Sequence, residues 1–353
     1  MEITQKSFGK TSKGEEATLF TITNSNGMKV SLTNYGANVV SIIVPDKNGN
    51  FTDVALGFEN IAGYEENGPG FGSFIGRHAN RIGGAKFELN GKVYELDKND
   101  GENNLHSGFL GYNKVMYDAE YYEDGDIISV EFSRLSPHME QGFPGNLDVS
   151  VTYSLTEDNE LVIEYHAVSD KDTIVNFTNH SYFNLSGHDS GSILDHKVWI
   201  KANQFTPTDD GLIPTGELRD VSGTPMDFRT IKRIGQDIDA DYEPLKLAGG
   251  YDHNYVLDIS GAEVEKVAEL IDDRSGRVME VFTDLPGMQF YSGNFMQPVN
   301  NSKDGAVYQK RYGVCFETQY FPNSCNIPSF PSCVLKAGKE FDSVTIYKFL
   351  TTN

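Results

Sequence analysis

The chain has 353 residues, 38% of them hydrophobic and 35 of them glycine, which is enough to bury a large core and is typical of a turn-rich globular protein. Its formal charge of −22 repels phosphate groups, which argues against nucleic acids and anionic membrane surfaces as partners. The cysteines, Cys315, Cys325 and Cys333, are odd in number and contain no Cys-x-x-Cys pair, so we expect a reducing compartment rather than a disulfide framework.

The N-terminus lacks the apolar run of a signal peptide, and no stretch reaches the roughly 18 apolar residues of a membrane helix. These two features predict a cytoplasmic protein that does not enter a membrane.

The first half of the chain alternates between apolar and polar residues, as β-strands do, over residues 17–22, 28–32 and 39–44. The clearest hairpin follows at residues 86–96, where two such runs flank Asn90-Gly91, a pair that favours a two-residue turn. Residues 97–108 form a polar loop that contains His106. Further alternating runs at residues 127–132, 147–153 and 161–168 predict three more strands.

The run at residues 172–177 is rich in β-branched and aromatic residues and predicts a strand that continues to His180. Alternation along this strand places Asn176, Thr178, His180 and Tyr182 on one face. That face is polar and aromatic, so it suits the lining of a pocket better than the inside of a core.

The second half is less regular at residues 203–243, where a short helix is predicted within residues 230–239. Strands are predicted at residues 263–272, 278–283, 288–291, 313–320 and 341–350. Short strands separated by turns, with very little helix, indicate an all-β protein built as a large antiparallel β-sandwich. Because no linker or composition shift divides the chain, residues 1–353 are expected to form a single domain.

Several polar residues are more than a plain β-sandwich needs, namely Asn80, Arg81, His106, His180, Asp252 and Glu317. Each also has an ordinary explanation. Arg81 can pair with one of the 51 acidic residues, and Asp252 can cap a turn. Glu317 faces solvent if the alternate positions of its strand, such as Phe316, point into the core.

The remaining chemistry-bearing residues give no further signal. His78 and His253 adjoin candidate residues but alternate away from them if those segments are extended. No histidine pair stands with a carboxylate at metal-ligand spacing, so no metal is expected. The absence of a Gly-x-Ser-x-Gly motif gives no support to a hydrolase triad.

A set of motifs spread over most of the chain carries a family resemblance. The motifs are Asn34-Tyr35-Gly36-Ala37, Gly76-Arg77-His78-Ala79-Asn80-Arg81-Ile82, Asn104-Leu105-His106-Ser107-Gly108, Asn179-His180-Ser181-Tyr182-Phe183-Asn184-Leu185, Gly250-Tyr251-Asp252-His253-Asn254, Met288-Gln289-Phe290-Tyr291 and Cys315-Phe316-Glu317-Thr318-Gln319. In this order they resemble the aldose 1-epimerase family, also called galactose mutarotases.

The resemblance implies a galactose mutarotase-like supersandwich fold, an isomerase without a cofactor or metal, and a free aldohexose such as galactose or glucose as substrate. It also implies a monomer or a homodimer. By position, His180 looks like the general acid that protonates the ring oxygen, Glu317 like the general base that takes the proton of the C1 hydroxyl, and His106 like a group that polarises the ring oxygen. The substrate-binding positions carried over are Asn80, Arg81, His106, Tyr182, Asp252 and Gln289.

Two positions depart from the family pattern. Ser107 stands where a glycine is usual, and Tyr117 stands where a tryptophan is common. Because both positions are close to the sugar-facing loops in sequence, we expect them to affect sugar preference rather than activity.

The chemistry of anomer interconversion explains why a pair such as His180 and Glu317 is needed. A pyranose changes its anomer by opening, which requires one group to take the proton of O1 and another to protonate O5. A glutamate and a histidine, with ordinary pKa values of about 4.3 and 6.5, can divide these tasks at neutral pH. His180 must then hold a proton, which a nearby carboxylate favours and burial opposes.

Three other functions stay open from the sequence. A hexose-6-phosphate 1-epimerase would need a basic cluster for the phosphate, which the sequence does not provide. A glycosidase would use Asp252 and Glu317 as paired carboxylates. A non-catalytic sugar-binding module would explain the polar and aromatic positions but would give no reason to keep His180 with Glu317.

Overall fold

The structure is a computed structural model, and it describes residues 1–352. Its strands in chain order are β1 (Glu2–Lys10), β2 (Glu16–Thr23), β3 (Lys29–Thr33), β4 (Asn38–Pro45), β5 (Phe51–Asp53), β6 (Ser73–Ile75), β7 (Arg81–Ile82), β8 (Lys86–Leu89), β9 (Lys92–Glu95), β10 (Asn104–Leu105), β11 (Asp118–Asp124), β12 (Ile127–Ser136), β13 (Leu147–Thr156) and β14 (Glu160–Ser169). They continue as β15 (Thr173–Ile174), β16 (Thr178–His180), β17 (Lys197–Ile200), β18 (Gln204–Phe205), β19 (Arg219–Asp220), β20 (Lys232–Arg233), β21 (Asp252–Val256), β22 (Glu265–Asp272), β23 (Arg277–Thr283), β24 (Gly287–Tyr291), β25 (Cys315–Gln319), β26 (Val334–Leu335) and β27 (Glu340–Thr351).

Helix is scarce in the described residues. The α-helices are α1 (Ile61–Glu66) and α2 (Glu243–Ala248), and short 3₁₀ turns lie at Gly83–Ala85, Tyr112–Lys114, Glu140–Gly142, Ile234–Gln236, Lys303–Gly305 and Ser324–Asn326. In this part of the chain, no helix has the length and apolar character that crossing a membrane requires.

Three large sheets make up the architecture. The strand orders are β1-β2-β3-β4-β5, then β11-β12-β13-β14-β27-β23-β22-β17-β20, and then β19-β18-β21-β24-β25. Every ladder between these strands is antiparallel, which confirms the fold class expected from the alternating runs.

The nine-stranded sheet forms the centre of the core, because its inward residues face both five-stranded sheets. Phe132 on β12 packs edge-on against Phe20 on β2, with ring centroids 5.8 Å apart. On the same face of the nine-stranded sheet, the hydroxyl of Tyr347 on β27 donates to the carbonyl of Phe316 on β25, in the other five-stranded sheet, at 2.8 Å. The side chains on β25 that alternate with Phe316 are therefore free to face away from this core.

Several predicted elements are confirmed. The hairpin is β8–β9, and both turn residues, Asn90 and Gly91, have positive φ values of 53° and 76°, as the predicted two-residue turn requires. The run at residues 263–272 is strand β22, paired with β17 and β23.

Two predictions are wrong in detail. The short helix expected within residues 230–239 is limited to the 3₁₀ turn Ile234–Gln236, because Lys232 and Arg233 pair with β17 as strand β20. The strand expected from residue 172 to His180 is broken into β15 and β16, because the backbone changes partners between them. The amide of Val175 donates to Cys333, and the amide of Asn176 donates to Arg77.

A buried hydroxyl fastens the nine-stranded sheet to the N-terminal sheet. The hydroxyl of Tyr153 on β13 donates to the carbonyl of Ala37 at 2.8 Å. Tyr153→Phe should lower the free energy of unfolding by about 1–3 kcal/mol, because the Ala37 carbonyl loses its partner in a dry environment. Urea unfolding measures this change. Tyr122→Phe, at an exposed tyrosine whose hydroxyl meets only Glu120, is the control and should change stability by less than about 0.5 kcal/mol. Equal urea midpoints for the two variants would contradict the prediction.

Candidate active site

One pocket of about 400 Å³ collects every residue that the sequence analysis assigned to catalysis or sugar binding. These residues are Asn80, Arg81, His106, His180, Tyr182, Asp252, Gln289 and Glu317. The rest of the wall comes from residues that the sequence analysis did not single out, namely Gly68, Pro69, Leu105, Tyr291, Phe295, Met296, Gln297, Pro298 and Val299. The pocket therefore has a polar side rich in hydrogen-bonding groups and a largely apolar side.

Three adjacent strands of one sheet supply the carboxylate and amide groups. Glu317 on β25 lies opposite Gln289 on β24 in the strand register. Asp252 on β21 lies opposite Tyr291 on β24, one strand further along. Because side chains alternate along strands, this register brings the three polar side chains to the same face of the sheet.

Strand β25 is buried on both faces. Phe316 packs into the core, and Glu317 points into the pocket with only 2% of its surface exposed. The alternative that Glu317 faces open solvent is therefore wrong. The neighbours on its face, Cys315 and Gln319, are also fully buried.

The backbone around Gly72 positions His180. Strand β16 pairs with β6, and the amide of Gly72 donates to the carbonyl of His180 at 3.2 Å. Gly72 has a φ of +67°, and a Cβ there would lie 1.9 Å from the carbonyl oxygen of Val39, so only glycine fits. Asn179 adds a side-chain hydrogen bond to the carbonyl of Gly72 at 3.1 Å. His180 is thus held rigidly beside β25, where the Sγ of Cys315 lies 3.7 Å from its Nδ1.

His180 and Glu317 form a close buried pair. The Nε2 of His180 lies 3.5 Å from the Oε2 of Glu317, and the two side chains are about 8% and 3% exposed. Burial lowers the pKa of His180 to about 4. Burial, together with the negative charge of Asp252, raises the pKa of Glu317 well above its ordinary value. Burial therefore outweighs the favourable effect of the carboxylate on the histidine, and it shifts both groups toward their neutral forms.

His106 projects from a strained loop into the same pocket. His106, Ser107 and Gly108 all have positive φ values, of 51°, 70° and 109°. The amide of Asn80 donates to the Nδ1 of His106 at 3.1 Å. The neutral imidazole must then carry its proton on Nε2. Burial, followed by the neighbouring His180, lowers the pKa of His106 well below its ordinary value, so this neutral form prevails at neutral pH.

A chain of side-chain amides connects three of the predicted binding residues. Asn80 donates through Nδ2 to Gln319 Oε1 at 3.4 Å, Gln319 donates through Nε2 to Gln289 Oε1 at 3.2 Å, and Gln289 donates through Nε2 to Asp252 Oδ1 at 2.7 Å. Asp252 thus accepts a hydrogen bond from a side chain that is itself oriented. Gln319 lies two positions after Glu317 on β25, and this spacing is the sequence signal that places its side chain on the same face as Glu317.

Arg81 is held between two carboxylates. Its Nε donates to Asp100 at 2.7 Å, and its Nη1 lies 3.9 Å from the Oδ2 of Asp252. Burial raises the pKa of Asp252, while the charge of Arg81 opposes that rise. Among residues 1–352, Arg81 is the only lysine or arginine that lines this pocket.

The arrangement of His106, His180 and Glu317 resembles a set of metal ligands and raises the question of metal binding. In the described part of the chain, ligand atoms of His106, His180 and Glu317 lie within 4.8 Å of one another. A metal ion needs a free lone pair on each imidazole. The hydrogen bond from the Asn80 amide places the Nε2 proton of His106 where that lone pair would be needed. The donor set therefore suits proton transfer better than metal coordination.

The expected polar strand face is only half correct. Tyr182 lines the pocket, where its ring stacks on that of His180 with centroids 5.1 Å apart and its hydroxyl donates to the carbonyl of Pro69 at 2.9 Å. Asn176 and Thr178 do not line it. Asn176 instead receives the amide of Tyr320 at 2.8 Å, because the strand breaks before β16.

His253 and His78 lie outside the pocket, as alternation predicted. The Nδ1 of His253 accepts the backbone amide of Asp252 at 3.1 Å, and its ring packs edge-on against Phe205.

Neither departure from the family pattern reaches the pocket. Ser107 and Tyr117 are both buried, and Tyr117 donates its hydroxyl to the carbonyl of Tyr112 at 3.0 Å. The sequence predicts that both influence sugar preference. Their buried positions instead give them structural contacts, since neither side chain can touch a ligand in the pocket.

A buried acid and a buried base this close to each other can exchange protons with adjacent atoms of one polar ligand. The fold and pocket thus define the class of β-sandwich enzymes that perform acid/base chemistry. A family model described as aldose 1-epimerase matches residues 18–348. The chain belongs to the aldose 1-epimerase family, and it is an isomerase.

Relatives match over almost the whole chain. A galactose mutarotase from Bos taurus is 43% identical over 325 residues, which cover 92% of each chain. A galactose mutarotase from Sus scrofa is 41% identical over 349 residues, 99% of each chain. An aldose 1-epimerase from Escherichia coli (strain K12) is 36% identical over 341 residues, 96% of each chain.

Solved structures match as well. An aldose epimerase homologue from C. elegans aligns with a TM-score of 0.86 at 28% identity, covering 96% of this chain and 100% of that one. A galactose 1-epimerase from Lactobacillus acidophilus aligns with a TM-score of 0.88 at 25% identity, covering 100% of both chains.

The raised pKa of Glu317 leads to a prediction about stability. The folded chain binds this proton more tightly than the unfolded chain, so the stability that it contributes is complete below the ordinary pKa and is lost as pH rises through the folded pKa. Glu317→Gln removes this dependence. The melting temperature of the variant should therefore gain on that of the wild type as pH increases from about 5 to about 8.

Thermal melts at several pH values measure the difference. Glu340→Gln, at an exposed glutamate, is the matched control and should follow the wild type at every pH. A difference between Glu317→Gln and the wild type that stays constant with pH would contradict a raised pKa.

Proposed function

We propose that the chain interconverts the α and β anomers of free hexoses such as galactose and glucose by opening and reclosing the sugar ring. The observation that carries the proposal is the 3.5 Å separation of His180 Nε2 and Glu317 Oε2. The two oxygens that exchange protons in ring opening, O1 and O5, are bonded to the same carbon. An acid and a base that serve them must therefore lie side by side, as this pair does.

In the proposed reaction, Glu317 takes the proton of the C1 hydroxyl and His180 gives a proton to O5. The O–H electron pair forms the carbonyl at C1, and the C1–O5 electrons stay with O5 as the bond breaks. Rotation about the C1–C2 bond presents the other carbonyl face, and the same groups then return both protons in reverse. The protein ends as it began, and no cofactor takes part.

His180 and Glu317 together need to carry only one proton, both for ring opening and for ring closure. Ring opening starts with the proton on His180 and finishes with it on Glu317, which is the arrangement that burial favours. The C1 hydroxyl of a bound sugar donates to the carboxylate, and this hydrogen bond favours the ionised form of Glu317. Binding of the cyclic sugar thus helps to move the proton to the histidine.

His106 is the proposed polarising group for the ring oxygen. Its Nδ1 is occupied by the Asn80 amide, so its Nε2–H is free to donate to a sugar oxygen. Ring hydroxyls would bind to Asn80, Arg81, Asp252 and Gln289, and the Tyr182 ring would pack beside the acid. The amide chain from Asn80 to Asp252 supports this assignment, because it orients the donors and acceptors before the sugar arrives.

The charge of the pocket favours a free sugar over a sugar phosphate. Arg81, the one lysine or arginine in the described pocket lining, is already paired with Asp100 and lies near Asp252. A phosphate would meet the carboxyl groups of Asp252 and Glu317 without an unpaired cation.

We also propose the cellular setting expected from the sequence. The chain would act in the cytoplasm as one domain, as a monomer or a homodimer, without nucleic acid or membrane partners. Three free cysteines in the described residues are consistent with a reducing compartment.

Substitution of the pair tests the proposal. His180→Asn and Glu317→Gln should each lower kcat by about 10²–10⁴-fold, because each removes one of the two proton-transfer groups. Polarimetry of freshly dissolved α-galactose and α-glucose, corrected for spontaneous mutarotation, measures kcat and KM.

His166→Asn is the matched control, since His166 lies on the surface beside Asp342. It should retain wild-type kcat. Galactose that is converted at wild-type speed by Glu317→Gln would refute the role of Glu317. Faster conversion of glucose 6-phosphate than of glucose would refute the free-sugar assignment.

The pH dependence provides an independent test. The active pair of His180 and Glu317 carries one proton in total. The value of kcat/KM should therefore fall as pH decreases through about 4, where His180 becomes protonated and the pair carries two protons. It should also fall at high pH, where the pair loses its proton through the raised pKa of Glu317. Polarimetric rates from about pH 3.5 upward define both limbs. An acid limb centred at the ordinary histidine pKa of 6.5 would show that burial does not control His180.

A further inference from the structure

Ser107 is an unusual residue for its position. Its φ is +70°, in the left-handed region that favours glycine, and its side chain is fully buried. It follows His106 directly in the chain but does not line the pocket. Its side chain must therefore act, if at all, through its neighbours.

The hydroxyl of Ser107 binds both backbone groups of one residue. It accepts the amide of His78 at 2.8 Å and donates to the carbonyl of His78 at 3.0 Å. A single side chain thus satisfies two backbone groups that are buried away from water. These two bonds link the loop that carries His106 to the segment that leads into Asn80.

The linked segments meet again at His106 itself. The amide of His106 donates to the carbonyl of Asn80 at 3.2 Å, and the amide of Asn80 donates to the Nδ1 of His106 at 3.1 Å. The second of these bonds decides which imidazole nitrogen carries the proton. Its length depends on how residues 78–80 sit relative to residues 106–107, and Ser107 joins these two stretches.

We propose that Ser107 is a positioning residue for His106. By binding the backbone of His78, it keeps the Asn80 amide on Nδ1 of His106, so that the Nε2–H donor points at the ring oxygen of the sugar. This inference rests on the proposed function, in which His106 polarises that oxygen. A glycine at this position would supply the backbone conformation but not the link.

The test is Ser107→Ala, which keeps a Cβ in place and removes the oxygen. In protein labelled with ¹⁵N-histidine, the wild-type His106 ring should show one neutral tautomer, protonated on Nε2, with His106→Gln used to assign its signals. In Ser107→Ala this signal should shift toward an average of the two tautomers. Polarimetry should show kcat for galactose reduced about tenfold or more, with KM changed by less than about twofold, because the donor is misplaced rather than lost.

The matched control is Thr283→Ala. Thr283 is a fully buried hydroxyl that donates to the carbonyl of Val344 at 3.0 Å and accepts the amide of Leu285 at 3.1 Å, and it does not line the pocket. The Thr283→Ala variant should lose stability as Ser107→Ala does, because each loses two buried hydrogen bonds. It should leave both kcat and the His106 signal unchanged. Equal effects of the two alanine variants on kcat would overturn the inference.

Ser107→Gly serves if Ser107→Ala does not fold, since glycine adopts the left-handed conformation without strain. It should also lose the single tautomer and lower kcat. An unchanged His106 spectrum in the soluble variant would overturn the inference whatever the rate. The spectrum is recorded without substrate, so it tests the role of Ser107 separately from the proposed function. The proposed function would fail if the wild-type chain did not accelerate mutarotation.

Discussion

The site depends on the burial of one acid and one base side by side. Glu317 and His180 are almost fully removed from solvent, and each is shifted by burial toward its neutral form. A buried charge is costly unless it is compensated, so burial favours the neutral forms of both groups. In the proposed reaction this arrangement is one end state of the proton transfer, so that burial would serve the reaction rather than oppose it.

The backbone near the pocket is strained, and this strain must be offset by other interactions. Asn80, His106 and Ser107 all have positive φ values, and each such residue costs on the order of 1–2 kcal/mol. Local hydrogen bonds offset the strain. Asn80 receives the amide of Arg81 on its own side chain at 2.8 Å, and Ser107 binds His78 twice.

Much of this site could be predicted from the sequence, and the reasons are specific. Period-two alternation correctly separated Glu317 from Phe316, which lie on opposite faces of β25. The motif around His180 carried the family resemblance, which supplied the roles. Alternation failed before β16, because the partner of each backbone amide changes from residue to residue there and local propensity contains no information about partners.

The environment of the pair could not be predicted at all. Whether burial or a neighbouring carboxylate controls His180 depends on residues far apart in the chain, since β16 meets β25 only in the folded structure. The same holds for Ser107 and Tyr117, whose nearness to sugar-facing loops in the sequence suggested contact with the ligand. Their side chains turn inward, and nearness in sequence does not reveal the direction of a side chain. At Ser107 the positive φ further breaks the regular alternation of directions.

In the proposed reaction, burial makes proton movement a consequence of substrate binding. Burial favours a proton on Glu317, and a protonated carboxyl group could not accept the C1 proton, so the proposal requires a cyclic sugar to shift that proton to His180 before its ring opens. Hydroxyl donors near Glu317 supply that shift, and the pocket supplies few other donors to this carboxylate, since its Oε2 has no hydrogen-bond partner in the described residues. Under the proposed mechanism, a ligand that fills the pocket without a hydroxyl at this point would leave the proton on Glu317. The proposal thus makes recognition of the C1 hydroxyl and activation of the base the same interaction.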